Sequence, residues 1–268
     1  RRIHRQPEIG LDLPKTQAVI VEELGKLGLE GQPGSALSSV VAVIEGGRPG
    51  PTVLLRADMD ALPLHEDTGL DFSSKVDGAM HACGHDTHVA MLLGAARLLQ
   101  DRKADLPGKV ILMFQPGEEG LGGAKTMIDE GLLEAAGPTA PTGALAVHIG
   151  TRYPTGEVHL RPGPQMAATD VIRITVRGRG GHASAPHLAL DPIAVAELPA
   201  PIMGAEDFSY VLQKVPGAMA FVGARPDGQD PATAPQNHSN LVVFDEPAMA
   251  VGVALYAAVA IRHLSGGQ

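Results

Sequence analysis

Residues 109–120 read KVILMFQPGEEG and join an apolar run to two adjacent glutamates. The first half, residues 109–114, is a continuous apolar run after its opening lysine, which is typical of a strand buried on both faces of a sheet. The sequence that follows predicts a short helix over residues 123–130. A buried strand that is followed by a helix is the repeating unit of an α/β fold, so this stretch indicates that fold class.

Strands and helices alternate along most of the chain on both sides of this stretch. Apolar runs predict further strands over residues 40–44, 52–55, 144–147 and 218–222. Helical periodicity predicts further helices over residues 14–27, 86–100, 205–215 and 248–261. We therefore expect a layered α/β fold, in which a mixed, largely parallel sheet is flanked by helices.

The composition excludes several classes of protein. The 268 residues include 21 Lys and Arg against 30 Asp and Glu, a net charge of −9, and 3% aromatic residues. An acidic chain with few aromatic residues argues against nucleic acid as a partner, because nucleic-acid binding needs a basic surface and stacking platforms. The most apolar segment, residues 248–261, is shorter than the roughly 20 residues of a membrane span, so no membrane partner is expected. The single cysteine, Cys83, excludes an internal disulfide and favours a cytoplasmic location.

The densest group of reactive side chains is HACGHDTH at residues 81–88. Thiolate and imidazole are ligands suited to Zn²⁺ and related ions. Cys83 and His85 lie where a loop leads into a predicted helix, so both can point at one centre. The alternative is a capped helix start with Asp86 as the N-cap and exposed histidines. Three histidines, one cysteine and one aspartate within eight residues favour the metal site.

Acidic or imidazole side chains also follow three of the predicted strands. In open α/β sheets the carboxyl ends of the strands form the edge at which ligands bind. Two neighbouring glutamates suit a metal ligand beside a general base, and two alternate aspartates can reach one site. Taken singly, each has a plain alternative, a solvated acidic turn or a structural histidine. Together they predict a metal-assisted hydrolase; the residues are Asp58, Asp60, Glu118, Glu119 and His148, with His238 in a polar loop near the C-terminus.

Eight motifs resemble those of the metal-dependent amidohydrolase family that contains hippurate hydrolase, N-acyl-amino-acid amidohydrolases and indole-acetyl-amino-acid hydrolases. They run in family order over nearly the whole chain as RRIHRQPE, LLRADMDALP, MHACGHDTH, FQPGEEG, AVHIG, GGHASAPH, GAEDFSY and NHSN. The resemblance implies a zinc-exopeptidase-like fold. It also implies an enzyme that hydrolyses the amide bond of N-acyl amino acids, a class of small-molecule substrate, to a free amino acid and a carboxylic acid.

The resemblance further implies a site with two divalent metal ions. Zn²⁺ or Mn²⁺ is expected, with Co²⁺ and Ni²⁺ as further candidates. Glu118 would be the general base that activates the attacking water. The five implied metal ligands are Cys83, His85, Glu119, His148 and His238.

Three more residues receive roles from the resemblance. Asp58 and Asp60 fall in the family's catalytic aspartate motif, and Asp60 is the better candidate for orienting a ligand. His182 resembles the residue with which the family's lid domain stabilises the tetrahedral oxyanion, often across a dimer. From the residues alone, the same segment would be a glycine-rich turn with an exposed histidine.

The segment that resembles the lid is short. Residues 169–176 alternate apolar and polar side chains, which marks a second module beginning near Ala167. We predict a catalytic domain over residues 1–166 and 201–268, and a truncated α+β lid insertion, the remnant of a lid and dimerisation domain, over 167–200. A homodimer or larger assembly is expected if the lid is present. The alternatives are a lidless, catalytically weak metal-binding remnant, or a dipeptidase or carboxypeptidase of the same clan.

Overall fold

A mixed sheet of seven strands organises the part of the chain that the computed structural model describes, residues 1–160 and 206–266. Across the sheet the strands lie in the order β1-β2-β4-β3-β5-β7-β6. The central strands β4, β3, β5 and β7 are parallel, and antiparallel strands border them on both sides. The predicted mixed, largely parallel sheet is thereby confirmed. In chain order the strands are β1 (Gln32–Pro33), β2 (Val40–Glu45), β3 (Arg48–Asp58), β4 (Pro107–Gln115), β5 (Gly143–Pro154), β6 (Val158–His159) and β7 (Gly217–Arg225).

Helices flank this sheet. They are α1 (Pro14–Lys26), α2 (His85–Asp101), α3 (Gly123–Asp129), α4 (Ser209–Leu212) and α5 (Ala248–Leu264), with single 3₁₀ turns at Lys103–Asp105 and Leu132–Glu134. Apolar side chains of α1, α2 and α5 form the main core with the sheet, whereas α3 packs against β4 and α4. None of the helices in the described ranges is both long and apolar enough to cross a membrane.

Strand β3 lies at the centre of the sheet and carries charge at its carboxyl end. Val53, Leu55 and Ala57 join the main core. Side chains alternate along a strand, so Arg56 and Asp58 occupy the intervening positions. Both are fully buried, which means that their charges must be satisfied by other parts of the chain.

Helix α4 is shorter than the helix predicted over residues 205–215. It spans only Ser209–Leu212, so the predicted extent is wrong over the described residues. Asp207 precedes it, and its carboxylate accepts hydrogen bonds from Gln115 Nε2 and from the backbone N–H of Ala124. Pro216 follows directly after the predicted end and disfavours helical geometry at the residue before it, so the helix ends earlier.

The predicted lid remnant lies outside the described residues. This applies to residues 167–200, to His182, and to both predicted domain boundaries. The domain division and the role of His182 therefore stay predictions.

Glycines allow helices α2 and α5 to approach each other closely. A Cβ atom at Gly94 of α2 would lie 2.6 Å from Val253 Cγ2 of α5. A Cβ atom at Gly252 of α5 would collide with the side chain of Met91, which is fully buried and has little room to move. The contact between the two helices therefore depends on the absence of these side chains.

We predict that Gly252→Ala destabilises the protein by about 1–3 kcal/mol, because the added methyl overpacks the α2–α5 contact. The matched control is Gly25→Ala in α1, where an added Cβ meets nothing within 4 Å. That substitution should stabilise the protein by up to about 1 kcal/mol through helix propensity alone. Urea unfolding of the two variants and the wild type measures both effects. A Gly252→Ala variant as stable as the wild type would contradict the proposed packing.

Candidate metal centre

The five predicted metal ligands come together at the carboxyl end of the parallel strands. Cys83 Sγ lies 3.4 Å from His148 Nε2 and 3.2 Å from His238 Nε2. His238 Nε2 lies 3.4 Å from Glu119 Oε1. The ligand atoms of Cys83, His85 and His148 lie within 4.8 Å of one another, and so do those of Cys83, Glu119 and His238. Two potential metal-binding groups therefore share Cys83.

The donor atoms of this cluster fit divalent cations. Thiolate, imidazole and carboxylate are the ligand types that bind Zn²⁺ and related ions. Within residues 1–160 and 206–266, His85 Nε2 and Glu119 Oε1 are buried atoms that lack a hydrogen-bond partner. Buried polar atoms are rarely left unsatisfied, so these two atoms indicate that the cluster is built to hold something more than protein.

Hydrogen bonds fix which nitrogen two of the histidines present to the cluster. His85 Nδ1 lies 2.9 Å from the carbonyl oxygen of Asp60, and His148 Nδ1 lies 2.7 Å from that of Ile149. A carbonyl can only accept, so Nδ1 carries the proton in both rings. Each ring then offers the lone pair of Nε2 as a ligand, as expected for metal-binding histidines whose other nitrogen is anchored.

The charges around the cluster favour a cation. Burial raises the pKa of the Cys83 thiol to about 12, so a thiolate at neutral pH requires a nearby positive charge. Burial lowers the pKa of His148 to about 3, which keeps its imidazole neutral, as a ligand must be. Burial also opposes a charged His85, but the negative charge of Asp58 outweighs it and raises the pKa of His85 well above its ordinary value. The negative charge that favours a proton on His85 also favours a metal ion beside that ring.

Asp60 positions the loop that carries the two glutamates. Its Oδ1 accepts a hydrogen bond of 3.1 Å from the backbone N–H of Glu118, and its Oδ2 accepts one of 3.2 Å from that of Glu119. The same residue's carbonyl orients His85. Asp60 thus touches three site residues, which agrees with its predicted role in orienting a ligand, although that role stays a prediction.

Asp58 is held by protein partners on both oxygens. Arg56 Nη1 donates to Oδ2 at 2.6 Å, and His88 Nδ1 lies 2.5 Å from Oδ1. Burial would raise the pKa of Asp58, but the Arg56 charge and the neighbouring imidazoles outweigh it and hold that pKa well below its usual range. The atoms of Asp58, His85 and His88 also lie within 4.8 Å of one another. Because those of Asp58 and His88 already have protein partners, we do not take this group for a third ion.

Local backbone geometry supports the site at two positions. Gly84 has a φ of 87°, and a Cβ there would lie 2.5 Å from Ile149 Cγ2, so only glycine allows the ligand loop to approach β5 this closely. His238 has a φ of 70° and is the one non-glycine residue with a positive φ among the described residues. Strain of this kind is typical of functional sites, where the surrounding structure enforces it.

The start of α2 is anchored by the N-terminal segment. His4 Nδ1 lies 2.9 Å from Asp86 Oδ2, and His4 Nε2 lies 3.3 Å from Glu66 Oε1. Asp86 is therefore not the helix N-cap, which is Gly84 without a side-chain bond, and His81, His85 and His88 are buried rather than exposed. The alternative of a simple capped helix start does not describe this segment.

Four further residues of the site received no role from the sequence. Arg56 donates to Asp58, to Gln115 Oε1 at 2.9 Å and to Asp207 Oδ1 at 3.1 Å. An arginine inside an apolar strand is the signal that could have indicated a buried ion pair. Its partner Asp207 lies 151 positions away in the chain, and no sequence pattern links the two. Gln115 and His88 lie within the motifs FQPGEEG and MHACGHDTH, but neither of them received a role of its own from the sequence.

The chain belongs to the peptidase family M20/M25/M40, whose model matches residues 54–262. This confirms the family resemblance that the motifs indicate. The structure of the YXEP protein of Bacillus subtilis, described as a dinuclear metal binding peptidase from the M20 family, is 25% identical. It has a TM-score of 0.78 over 98% of this chain and 95% of that one. The predicted fold class is confirmed by this similarity.

Curated relatives carry two kinds of name. The chain is 49% identical over 199 residues to thermostable carboxypeptidase 1 of Saccharolobus solfataricus, covering 73% of this chain and 49% of that protein. It is 42% identical over 193 residues to N-acetyl-L-cysteine deacetylase of Bacillus subtilis, covering 72% of this chain and 45% of that protein. It is 41% identical over 196 residues to IAA-amino acid hydrolase ILR1-like 5 of Arabidopsis thaliana, covering 73% of this chain and 44% of that protein. The chain spans about half the length of these relatives.

The contact of His4 with Asp86 predicts a pH-dependent contribution to stability. Burial lowers the pKa of His4, but the hydrogen bond to Asp86 and the charges of Asp86 and Glu66 outweigh it and raise the pKa to about 8. The ordinary value is 6.5. The protonated ring therefore stabilises the folded state fully below pH 6.5, and this contribution is lost as the pH rises through 8. Its size is about 2 kcal/mol.

The test compares urea unfolding of the wild type and His4→Gln at pH 6 and pH 9. We expect the stability difference between them to shrink by about 2 kcal/mol at the higher pH. His65→Gln, at an exposed histidine, is the control for loss of an imidazole elsewhere. A difference for His4→Gln that is the same at both pH values would contradict the charged contact.

Proposed function

We propose that this chain forms the catalytic part of a metal-dependent hydrolase that cleaves the amide bond of N-acyl amino acids. The observation that carries the proposal is the convergence of four candidate ligand side chains on a fifth, Cys83, with the Glu118 carboxylate beside them. The deacetylase and amino acid hydrolase relatives support this substrate class. The proposal includes the domain division at residues 167–200, a cytoplasmic location and an assembly of two or more copies.

Two divalent cations would be held by the two groups that share Cys83. The residues that would hold them are Cys83, His85 and His148 in one group and Cys83, Glu119 and His238 in the other. When bound, the cations polarise the amide carbonyl and make a water molecule more acidic. Zn²⁺ and Mn²⁺ are both compatible with this mixture of sulfur, nitrogen and oxygen donors.

Glu118 would move the proton. Its side chain is buried, a carboxylate oxygen lies within 4.8 Å of the ligand atoms of His85 and Glu119, and its backbone is held by Asp60. A carboxylate in this place can accept a proton from the attacking water and then pass it to the departing amine. The adjacent Glu119 shares the same backbone anchor, so base and ligand are oriented by one aspartate.

Asp58 and His182 complete the proposed assignment. Asp58 would orient the metal ligands from the protein side of the site, because its two oxygens are already bound by Arg56 and His88. His182 would donate a hydrogen bond to the developing oxyanion, and removal of one such donor costs about 10²–10³ in rate. His182 lies outside the described residues, so this role rests on the motif alone.

A carboxypeptidase is the second candidate function. The 49% identity to a thermostable carboxypeptidase supports it. Both reactions release an amino acid with a free carboxylate, and they differ in the group on the other side of the bond. Assays of N-acetyl and N-benzoyl amino acids beside dipeptides and longer peptides, with added Zn²⁺ or Mn²⁺, separate the two. Preference for the acyl substrates is expected, and preference for peptides would favour the second candidate.

We predict that Glu118→Gln lowers the turnover of N-acyl amino acids by about 10²–10⁴ while both metal ions stay bound, because the variant loses the base but no ligand. Glu134→Gln, an exposed carboxylate on a 3₁₀ turn, is the matched control and should behave as the wild type. Steady-state rates with metal content from atomic emission measure both properties. Unchanged turnover in Glu118→Gln would exclude it as the base. A wild type that binds metal but hydrolyses none of the substrates would favour the metal-binding remnant.

A further inference from the structure

Strands β3 and β5 separate just before the metal centre. Their parallel pairing runs from Val53↔Gly143 to Arg56↔Ala146 and stops there. Both strands nevertheless continue, β3 to Asp58 and β5 to Pro154. The ligand His148 lies on β5 two residues after the last paired position. Strands β3 and β5 thus part just before this ligand, while β5 itself stays paired with β7 there, at His148↔Phe221.

Tyr256 of α5 lies at the first step of this separation. Its hydroxyl donates to the carbonyl of Arg56 at 2.5 Å and accepts from the N–H of Val147 at 3.1 Å. In a parallel ladder continued from Arg56↔Ala146, this carbonyl and this N–H are the next groups to bond. The fully buried Tyr256 hydroxyl therefore links the two backbones at the step where the pairing ends.

His88 of α2 lies at the second step. Its Nε2 accepts a hydrogen bond of 2.8 Å from the N–H of Ile149, the next N–H of β5 that faces β3. A backbone N–H can only donate, so Nε2 is unprotonated and the proton lies on Nδ1, which donates to Asp58 Oδ1. His88 is thereby fixed in one neutral tautomer that joins the end of β3 to the backbone beside His148.

The contacts of His88 reach one half of the metal centre, and the Val147 N–H that Tyr256 binds directly precedes His148 in the same half. The ring of His88 packs edge-on against that of His148, with centroids 4.7 Å apart. Asp58, which His88 and Arg56 hold, has Oδ2 at 3.6 Å from His85 Nε2. His85 and His148 belong to the same group of ligands, while Glu119 and His238 belong to the other.

We propose that Tyr256 and His88 are positioning residues that take over the β3–β5 ladder, hold the strands apart, and so set the geometry of the ion bound by His85 and His148. The proposal rests on the proposed function for the role of these two histidines as ligands. It assigns no contact with substrate to either residue.

The first experiment measures Zn²⁺ affinity in Tyr256→Phe, His88→Gln and His88→Asn by competition with a chromophoric chelator. Loss of a partner that orients a ligand typically weakens metal binding about 10- to 100-fold. We expect that loss for one of two Zn²⁺ ions and wild-type affinity for the other. His88→Gln retains an acceptor for the Ile149 N–H, and His88→Asn retains a donor for Asp58. Each should therefore lose less Zn²⁺ affinity than His88→Ala, which retains neither group and is measured beside them. The controls are Tyr210→Phe for the tyrosine variant and His65→Gln for the histidine variants, because both residues are exposed.

Two results would overturn the proposal. One is wild-type affinity for both ions in the folded Tyr256→Phe and His88→Gln variants, and the other is an equal loss for both ions. In either case the proposed function would stand if the wild type binds two ions and hydrolyses its substrate. A wild type that binds no Zn²⁺ would instead contradict the proposed function.

A second measurement does not depend on the folding of any variant. Nitrogen-15 NMR of the histidine rings in the wild-type protein distinguishes a protonated from an unprotonated ring nitrogen. We expect His88 to carry its proton on Nδ1, with Nε2 unprotonated. A proton on Nε2 would exclude the bond to Ile149 and overturn the proposal, whatever the metal affinities are.

Discussion

The arrangement of the site depends on the buried guanidinium of Arg56. This charge is almost entirely removed from water, and it is compensated by Asp58 on its own strand, by Gln115 at the end of β4 and by Asp207 before α4. Removing one partner of a buried ion pair costs about 3–5 kcal/mol, so these segments are held together strongly. Asp207 in turn donates its backbone N–H to Glu118 Oε1 at 3.4 Å. The ion pair thus fixes the ends of two strands and places the proposed base.

The remaining polar groups of the site follow from this framework. Asp58 binds His88, and Asp60 binds the backbone of Glu118 and Glu119. These bonds satisfy the aspartates and orient the histidines. Two buried atoms of the described ligand cluster have no hydrogen-bond partner, namely His85 Nε2 and Glu119 Oε1. One belongs to each of the two ligand groups that contain Cys83. Divalent cations held by these two groups would satisfy both atoms.

Short-range patterns in the sequence predict most of the helices and strands and nominate the candidate ligands. Continuous apolar runs predicted the buried parallel strands, and the motifs predicted five ligands that the fold brings together. The supporting contacts could not be predicted in this way, because they join residues that are distant in the chain. Tyr256 and Arg56 lie 200 positions apart, and Tyr256 lies in a helix whose sequence shows only apolar periodicity. The same holds for Asp207, which lies 151 positions from its partner Arg56.

The central claim is that Cys83, His85, Glu119, His148 and His238 together hold two divalent metal ions. Anomalous diffraction at the zinc absorption edge, from crystals of the protein loaded with Zn²⁺, tests it most directly. The account predicts two zinc peaks inside this cluster, with the Cys83 sulfur at a bonding distance of about 2.3 Å from zinc. One of them should contact His85 and His148, and the other Glu119 and His238. A single peak, or peaks that do not contact these side chains, would contradict the account.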